Sequence, residues 1–258
     1  MRVVAIIQAR TGSTRLPGKV LKEIVGRPML WHVINRVKTA KLVDKLLLAT
    51  TTREEDKPVI EIAKGFGIES YAGSEEDVLD RFYQAARKCG ADVIVRITAD
   101  DPFKDPVIID KMVEIFLKNS NKTDYVSNTI KPTYPEGIDV EVFSFKALEK
   151  AWRESSYKFD REHVTTYIWR NPREFRLMNV ENEKGDLSHL RWTVDTQRDL
   201  DFAREIYKKL YGEEKVFSMD EIVSLLESDP KISKMNEKLD KRPSLKDMSI
   251  QHKRQEHE

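Results

Sequence analysis

The chain has 258 residues, 40% of them hydrophobic, enough to bury a sizeable core in one large α/β domain or two small ones. Lys and Arg number 45 against 44 Asp and Glu, a net charge of +1, so no bulk field exists to recruit nucleic acid. Cys89 is the single cysteine, which excludes a disulfide framework and a cysteine-based zinc site, and no apolar run approaches a membrane span or a signal segment, so the expected compartment is the cytoplasm.

Val3–Ile7 is a short apolar run that reads as a buried strand. It leads into Gln8-Ala9-Arg10-Thr11-Gly12-Ser13-Thr14-Arg15-Leu16-Pro17-Gly18-Lys19. A loop leaving the C-terminal end of a central strand is where open α/β sheets bind ligands. Gly12 and Gly18 let backbone N–H groups approach an anion closely. Arg10, Arg15 and Lys19 suit a polyphosphate, because arginine binds oxygens in a fork and lysine acts as a point charge. This is not a Walker loop: five residues separate Gly12 from Gly18, and Val20 follows Lys19. No G-x-G-x-x-G is present either. A charged surface turn would have the same composition.

Beyond the loop, Pro28–Thr39 reads as a helix, Lys45–Thr50 as a second buried strand, Arg53–Phe66 as a helix and Gly67–Tyr71 as a short strand. Ser74 followed by Asp77 predicts a near-capping-box at the next helix. Within that helix Asp77 and Arg81 stand at i,i+4, the spacing of an ordinary ion pair. Asp92–Thr98 is another buried strand and ends in Ala99-Asp100-Asp101-Pro102, a rim of acids or a plain turn. This alternation predicts a mainly parallel sheet with helices on both faces.

Pro106–Lys118 and Phe145–Glu154 read as helices, and Asp124–Ser127 as a strand. Glu136 lies in the turn Thr133–Gly137, and Ile138–Phe143 alternates apolar residues with Asp139 and Glu141. That acidic face is either solvated or recognises ligand hydroxyls, and we favour the latter. Asp160–Ile168 predicts one helix capped by Asp160. No second histidine stands at metal spacing from His163, so a zinc reading is rejected. Phe175–Val180 and Leu190–Thr196 read as the last strands, and Thr196 caps a helix over Gln197–Leu210. Asp199 is expected to face that helix's N-terminal dipole. Residues 1–212 form the predicted domain, 133–170 its substrate and dimer subregion, 213–230 a peripheral helix and 231–258 a charged, flexible tail.

The loop from Gln8 to Lys19 resembles the signature loop of the sugar cytidylyltransferases, above all the SpsF-like spore-coat polysaccharide branch. CMP-Kdo synthetases are similar, and CMP-acylneuraminate synthetases more loosely so. The resemblance implies a Rossmann-like nucleotidyltransferase fold and a loop that wraps the triphosphate of CTP through Ala9, Arg10, Gly12, Ser13, Arg15 and Lys19. It makes Arg81 a further nucleotide-contacting candidate. Ala99-Asp100-Asp101-Pro102 is similar to a Gly-Asp-Glu-Pro motif whose first acid binds metal, which falls on Asp100. Val194-Asp195-Thr196 followed by Asp199 resembles a terminal motif whose first Asp is the other metal ligand, which falls on Asp195. Arg161-Glu162-His163-Val164-Thr165 resembles an SpsF-type motif, so Arg161 and His163 join Glu136, Asp139 and Glu141 as acceptor-binding candidates.

The implied activity is Mg²⁺-dependent transfer of a cytidylyl group from CTP to an acidic, sugar-like acceptor, with pyrophosphate released. Arg10, Lys19, Asp100 and Asp195 are the catalytic candidates, and Asp100 and Asp195 share the metal. The alternatives are a metal-dependent nucleotide-sugar glycosyltransferase, which the triphosphate-type loop argues against, and a regulatory nucleotide-binding domain. A homodimer is expected, with no nucleic-acid or membrane partner.

Overall fold

The computed structural model describes residues 1–213 and 215–235. Its elements are β1 (Val3–Gln8), β2 (Glu23–Ile24), β3 (Arg27–Pro28), α1 (Met29–Val37), β4 (Lys45–Thr51), α2 (Lys57–Gly65) and β5 (Glu69–Gly73). They continue as α3 (Val78–Cys89), β6 (Val93–Thr98), α4 (Pro106–Lys118), β7 (Tyr125–Ser127), β8 (Glu141–Ser144) and α5 (Phe145–Glu154). The last are α6 (Lys158–His163), α7 (Thr166–Arg170), β9 (Leu177–Asn179), α8 (Gln197–Leu210), α9 (Met219–Ser228) and α10 (Pro230–Met235).

Seven strands form one sheet in the order β5-β4-β1-β6-β8-β7-β9. The first four are mutually parallel, and β8 runs antiparallel to both β6 and β7. Each apolar run feeds both faces. Val3, Ala5 and Ile7 pack with α1 and α4, whereas Val4 and Ile6 pack with α3 and α5. Because β1, β4 and β6 are parallel, the loops after Gln8, Thr51 and Thr98 leave along one rim. Among the described residues no helix is long and apolar enough to cross a membrane.

Several boundaries differ from the sequence reading. Leu190–Thr196 is not a strand; only Arg191 bridges, to Glu136. Its hydrogen bonds go to loops: Trp192 N–H donates to Glu136 O at 2.7 Å and Val194 N–H to Asp100 O at 2.8 Å. Gly137 admits this segment. A Cβ there would lie 2.8 Å from Thr193 N, and its φ is +104°. Only the end of the predicted strand Ile138–Phe143 joins the sheet, as β8. The predicted helix over 160–168 is two helices, broken where buried Val164 takes φ 65°. Asp160 therefore lies inside α6 rather than at its cap.

The cap of α3 is Asp77, which accepts from Asp80 N–H at 2.8 Å; Ser74 Oγ accepts from Asp77 N–H instead. Asp77 does not pair with Arg81. Its partner is Arg161. The core extends past residue 212, because Phe217, Met219, Ile222 and Leu226 are buried in it. Pro230–Met235 is helical with Ile232 buried, so the expected tail does not begin at 231; residues 236–258 lie outside the described residues.

Candidate active site

The loop after β1 is tied down at three points. Leu16 and Val20 are buried in the core. Gly18, at φ +66°, lets its N–H close the loop on Thr11 O at 3.0 Å and starts a 3-10 turn over Lys19–Leu21. Asp56, buried just beyond β4, accepts from Thr11 N–H at 2.6 Å and Thr11 Oγ1 at 2.8 Å, and Thr51 donates to its other oxygen. Those donors outweigh burial and hold the Asp56 carboxyl below its usual range. The amides of residues 12–15 donate no hydrogen bond among the described residues. A loop fixed at both ends with a run of unused N–H groups can offer them to an anion.

Beneath it, Lys19 Nζ donates to Asp100 Oδ2 at 2.8 Å, to Asp195 Oδ1 at 2.9 Å and to Val194 O at 2.9 Å. Burial alone would lower the Lys19 pKa, but the charge and hydrogen bonds of Asp100 and Asp195 raise it. Burial pushes Asp195 up, yet Lys19, Arg15 at 2.8 Å and Arg191 at 2.6 Å hold it below its usual range. Arg191 also binds Asp199 at 2.7 Å. Asp199 completes a capping box with Thr196, as its place near the helix dipole predicts. Asp101 turns inward to Lys104 at 2.8 Å and Thr98 at 2.5 Å. Burial pushes its carboxyl up to about 6, and the Asp100 and Asp139 charges add to that against Lys104. The two adjacent acids thus project differently.

Ala9, Arg10, Gly12, Ser13, Arg15 and Lys19 all line one cleft of about 440 Å³, whose floor holds Asp100 and Asp195. Arg81 lines it as well and is only 2% exposed. Burial, with the nearby Arg10 charge, pushes its pKa down to about 10, and its Nε has no partner among the described residues. Arg10 rests 3.6 Å from Glu75. Five basic side chains face three acidic ones in this cleft, a field that favours a polyanion.

A second cavity of about 160 Å³ shares Arg96, Thr98 and His163 with the first. Of the predicted acceptor residues, Asp139, Glu141 and His163 line it. Glu141 is engaged by three protein donors: Arg96, Tyr125 and Thr165. Arg161 and Glu136 line neither cavity. Arg161 ties α6 to α3 through Asp77 and to Trp152 O at 2.7 Å, and Glu136 lies 3.7 Å from Arg191. Sequence reasoning missed Asp56, Arg96 and Arg191. The signal for Asp56 is an acid following a parallel strand, as Asp100 does. The signal for Arg96 is a charge inside an apolar strand.

Two carboxylate oxygens bonded to one cationic nitrogen bracket a space that a metal ion can take. Among the described residues there is no group of three or more His, Cys, Asp or Glu that could hold a metal. That donor set fits Mg²⁺, which takes one or two carboxylates and completes its shell with phosphate and water.

The parallel sheet, the basic loop at its rim and the paired acids Asp100 and Asp195 are the arrangement of a nucleotidyltransferase. The cytidylyltransferase family model matches residues 4–247. The chain is 35% identical to spore coat polysaccharide biosynthesis protein SpsF of Bacillus subtilis, over 88% of this chain and 95% of that protein. It is 39% identical to 3-deoxy-manno-octulosonate cytidylyltransferase of Geobacter metallireducens over 44% of each chain. A cytidylyltransferase structure from Leptospira borgpetersenii superposes with a TM-score of 0.86 at 33% identity, covering 90% of this chain and 96% of that one. The chain belongs to the SpsF-like cytidylyltransferase family.

Proposed function

We propose that this enzyme moves a cytidylyl group from CTP to an acidic, sugar-like acceptor and releases pyrophosphate. The observation that carries this reading is one cleft lined both by loop residues 12–15, whose amides are unused, and by the Lys19–Asp100–Asp195 cluster, which suits a triphosphate better than a diphosphosugar. The amides of residues 12–15, with Arg10 and Arg15, would hold the β- and γ-phosphates and stabilise the leaving pyrophosphate. Arg81 offers a desolvated cation to the same polyanion. Asp100 and Asp195 would hold Mg²⁺, which when bound supplies charge neutralisation at the reacting phosphate. Positioning and electrostatics carry most phosphoryl chemistry, so the site needs no strong general base. The second cavity, reached past Arg96 and His163, is the place for the acceptor, next to the α-phosphate. Self-association through residues 133–170 belongs to the same proposal, and light scattering across micromolar concentrations tests it.

Incubation with CTP, Mg²⁺ and a panel of sugar acids tests the function. Acceptor-dependent release of pyrophosphate with a CMP conjugate in the mass spectrum is expected. CTP left intact with every acid, with the protein folded, contradicts it.

A further inference from the structure

Arg96 is a guanidinium set inside the apolar strand β6. Period two and the register of β1, β6 and β8 put Gln8, Arg96 and Glu141 on one sheet face, with Arg96 directly opposite Glu141. Arg96 Nε donates to Gln8 Oε1 at 3.1 Å, and Nη1 donates to Glu141 Oε2 at 2.6 Å. The other Glu141 oxygen accepts from Tyr125 and Thr165 hydroxyls, each at 2.6 Å. The guanidinium is thereby gripped on two sides by groups that are themselves committed.

Its second terminal nitrogen, Nη2, donates no hydrogen bond among the described residues and is not among their sealed, unpartnered polar atoms. The side chain is 14% exposed, and Arg96 lines both cavities, so it stands where they meet with one terminal nitrogen open. Thr166 also lines the second cavity, but its hydroxyl is sealed from solvent and takes no part in the subsite. An open, half-buried donor at the meeting of two cavities marks where a ligand oxygen belongs, since such a donor left unmade is costly.

We propose that Arg96 is the acceptor-orienting residue: Nη2 takes an oxygen of the acceptor's carboxylate, and Gln8 and Glu141 are its positioning residues. Charge assistance makes a carboxylate oxygen a better partner for this nitrogen than a neutral hydroxyl. The Glu141 charge is offset by its ion pair with the Arg96 guanidinium at 2.6 Å, which leaves the open nitrogen to a second carboxylate. Asp139 and Thr129 line the same cavity, where they meet the acceptor's hydroxyl groups. The inference rests on the cytidylyltransferase reading and adds the residue that selects the acceptor.

The test is calorimetry on the full chain with Mg²⁺ and cytidine 5′-(α,β-methylene)triphosphate, which does not turn over. The titrants are 3-deoxy-manno-octulosonate, N-acetylneuraminate and galacturonate, each as the acid and as its carboxamide. Wild type should bind at least one acid about tenfold more tightly than its amide. R96Q should erase that preference, so that acid and amide bind alike, while the CTP analogue still saturates the protein, though more weakly than wild type; loss of acid–amide discrimination in a protein that still binds the analogue is a split that a merely structural role would not give. R96K, which keeps the charge and loses the fork, should keep analogue binding and lose most of the preference, and it carries the test should R96Q fail to fold. A wild type that prefers no acid to its amide, or either variant keeping full preference, overturns the assignment. Failure of the cytidylyltransferase reading looks different: wild type would then not bind the CTP analogue at all.

Discussion

Lys19 Nζ lies 2.9 Å from Asp195 Oδ1, and the same nitrogen reaches Asp100 Oδ2 at 2.8 Å. An ammonium has three N–H groups, and Val194 O takes the third at 2.9 Å. Lys19 therefore has no donor left for a phosphate until it releases one of these partners. It holds together two carboxylates that would otherwise repel each other. Lys19→Met should therefore bind Mn²⁺ without nucleotide about fivefold or more tightly than wild type, because the competing charge is gone. CTP turnover in the same variant should fall about a hundredfold, the scale of losing one stabilising charge. Paramagnetic resonance titration of Mn²⁺ reads the first effect, and equal affinities in the two proteins would contradict the competition.

The loop after β1 depends on an acid that does not line the cleft. Asp56 satisfies Thr11 N–H and both nearby threonine hydroxyls from a buried position. Asp56→Ala leaves those donors without their acceptor, at a cost of about 1–3 kcal/mol. The KM for CTP should rise several-fold because the loop loses one of its three anchors. Urea unfolding and steady-state kinetics measure the two effects, and an unchanged KM in a folded variant would remove Asp56 from the site.

The central strands and the helices Pro106–Lys118 and Phe145–Glu154 were legible because their periodicity is local and their partners are regular elements. Leu190–Thr196 was not. Its alternation of Leu190, Trp192 and Val194 reads as a strand, but its partners are the backbones of Glu136 and Asp100, on loops that no local pattern announces. The break at Val164 was equally hidden, since a buried β-branched residue at positive φ is a tertiary outcome. At the site, the cleft gathers every predicted loop residue with Asp100 and Asp195. What the sequence could not tell was the pairing: Lys19, read as a phosphate ligand, rests on the two acids. Arg161 was read as acceptor-binding because its motif is local, whereas its partner Asp77 belongs to another helix.

His32 gives the fold a pH dependence of known sign. Burial, helped by the charges of Arg36 and Arg27 and opposed by its hydrogen bond to Ile24 O, pushes its imidazole down to about 4 from 6.5. The unfolded chain therefore takes up the proton first as pH falls. The contribution of His32 to stability is fully present above pH 6.5 and is lost as pH falls toward about 4. The loss amounts to about 3 kcal/mol. Ile24 sits in the small hairpin that follows the Arg10–Lys19 loop, so the same bond backs the cleft. His32→Gln removes the titration. Urea unfolding at pH 7 and pH 4 should show wild type losing more stability than the variant, and parallel losses would contradict this origin.

The central claim is that the Arg10–Lys19 loop, Asp100 and Asp195 bind a triphosphate together with one divalent cation. Calorimetric titration of CTP into wild type, Asp100→Asn, Asp195→Asn and the double variant, each with and without Mg²⁺, tests it most directly. The account predicts that Mg²⁺ tightens CTP binding to wild type, that each single variant abolishes that gain, and that the double variant loses no more than either single, since both acids serve one ion. A gain from Mg²⁺ that survives in either single variant, or losses that add in the double, would contradict it.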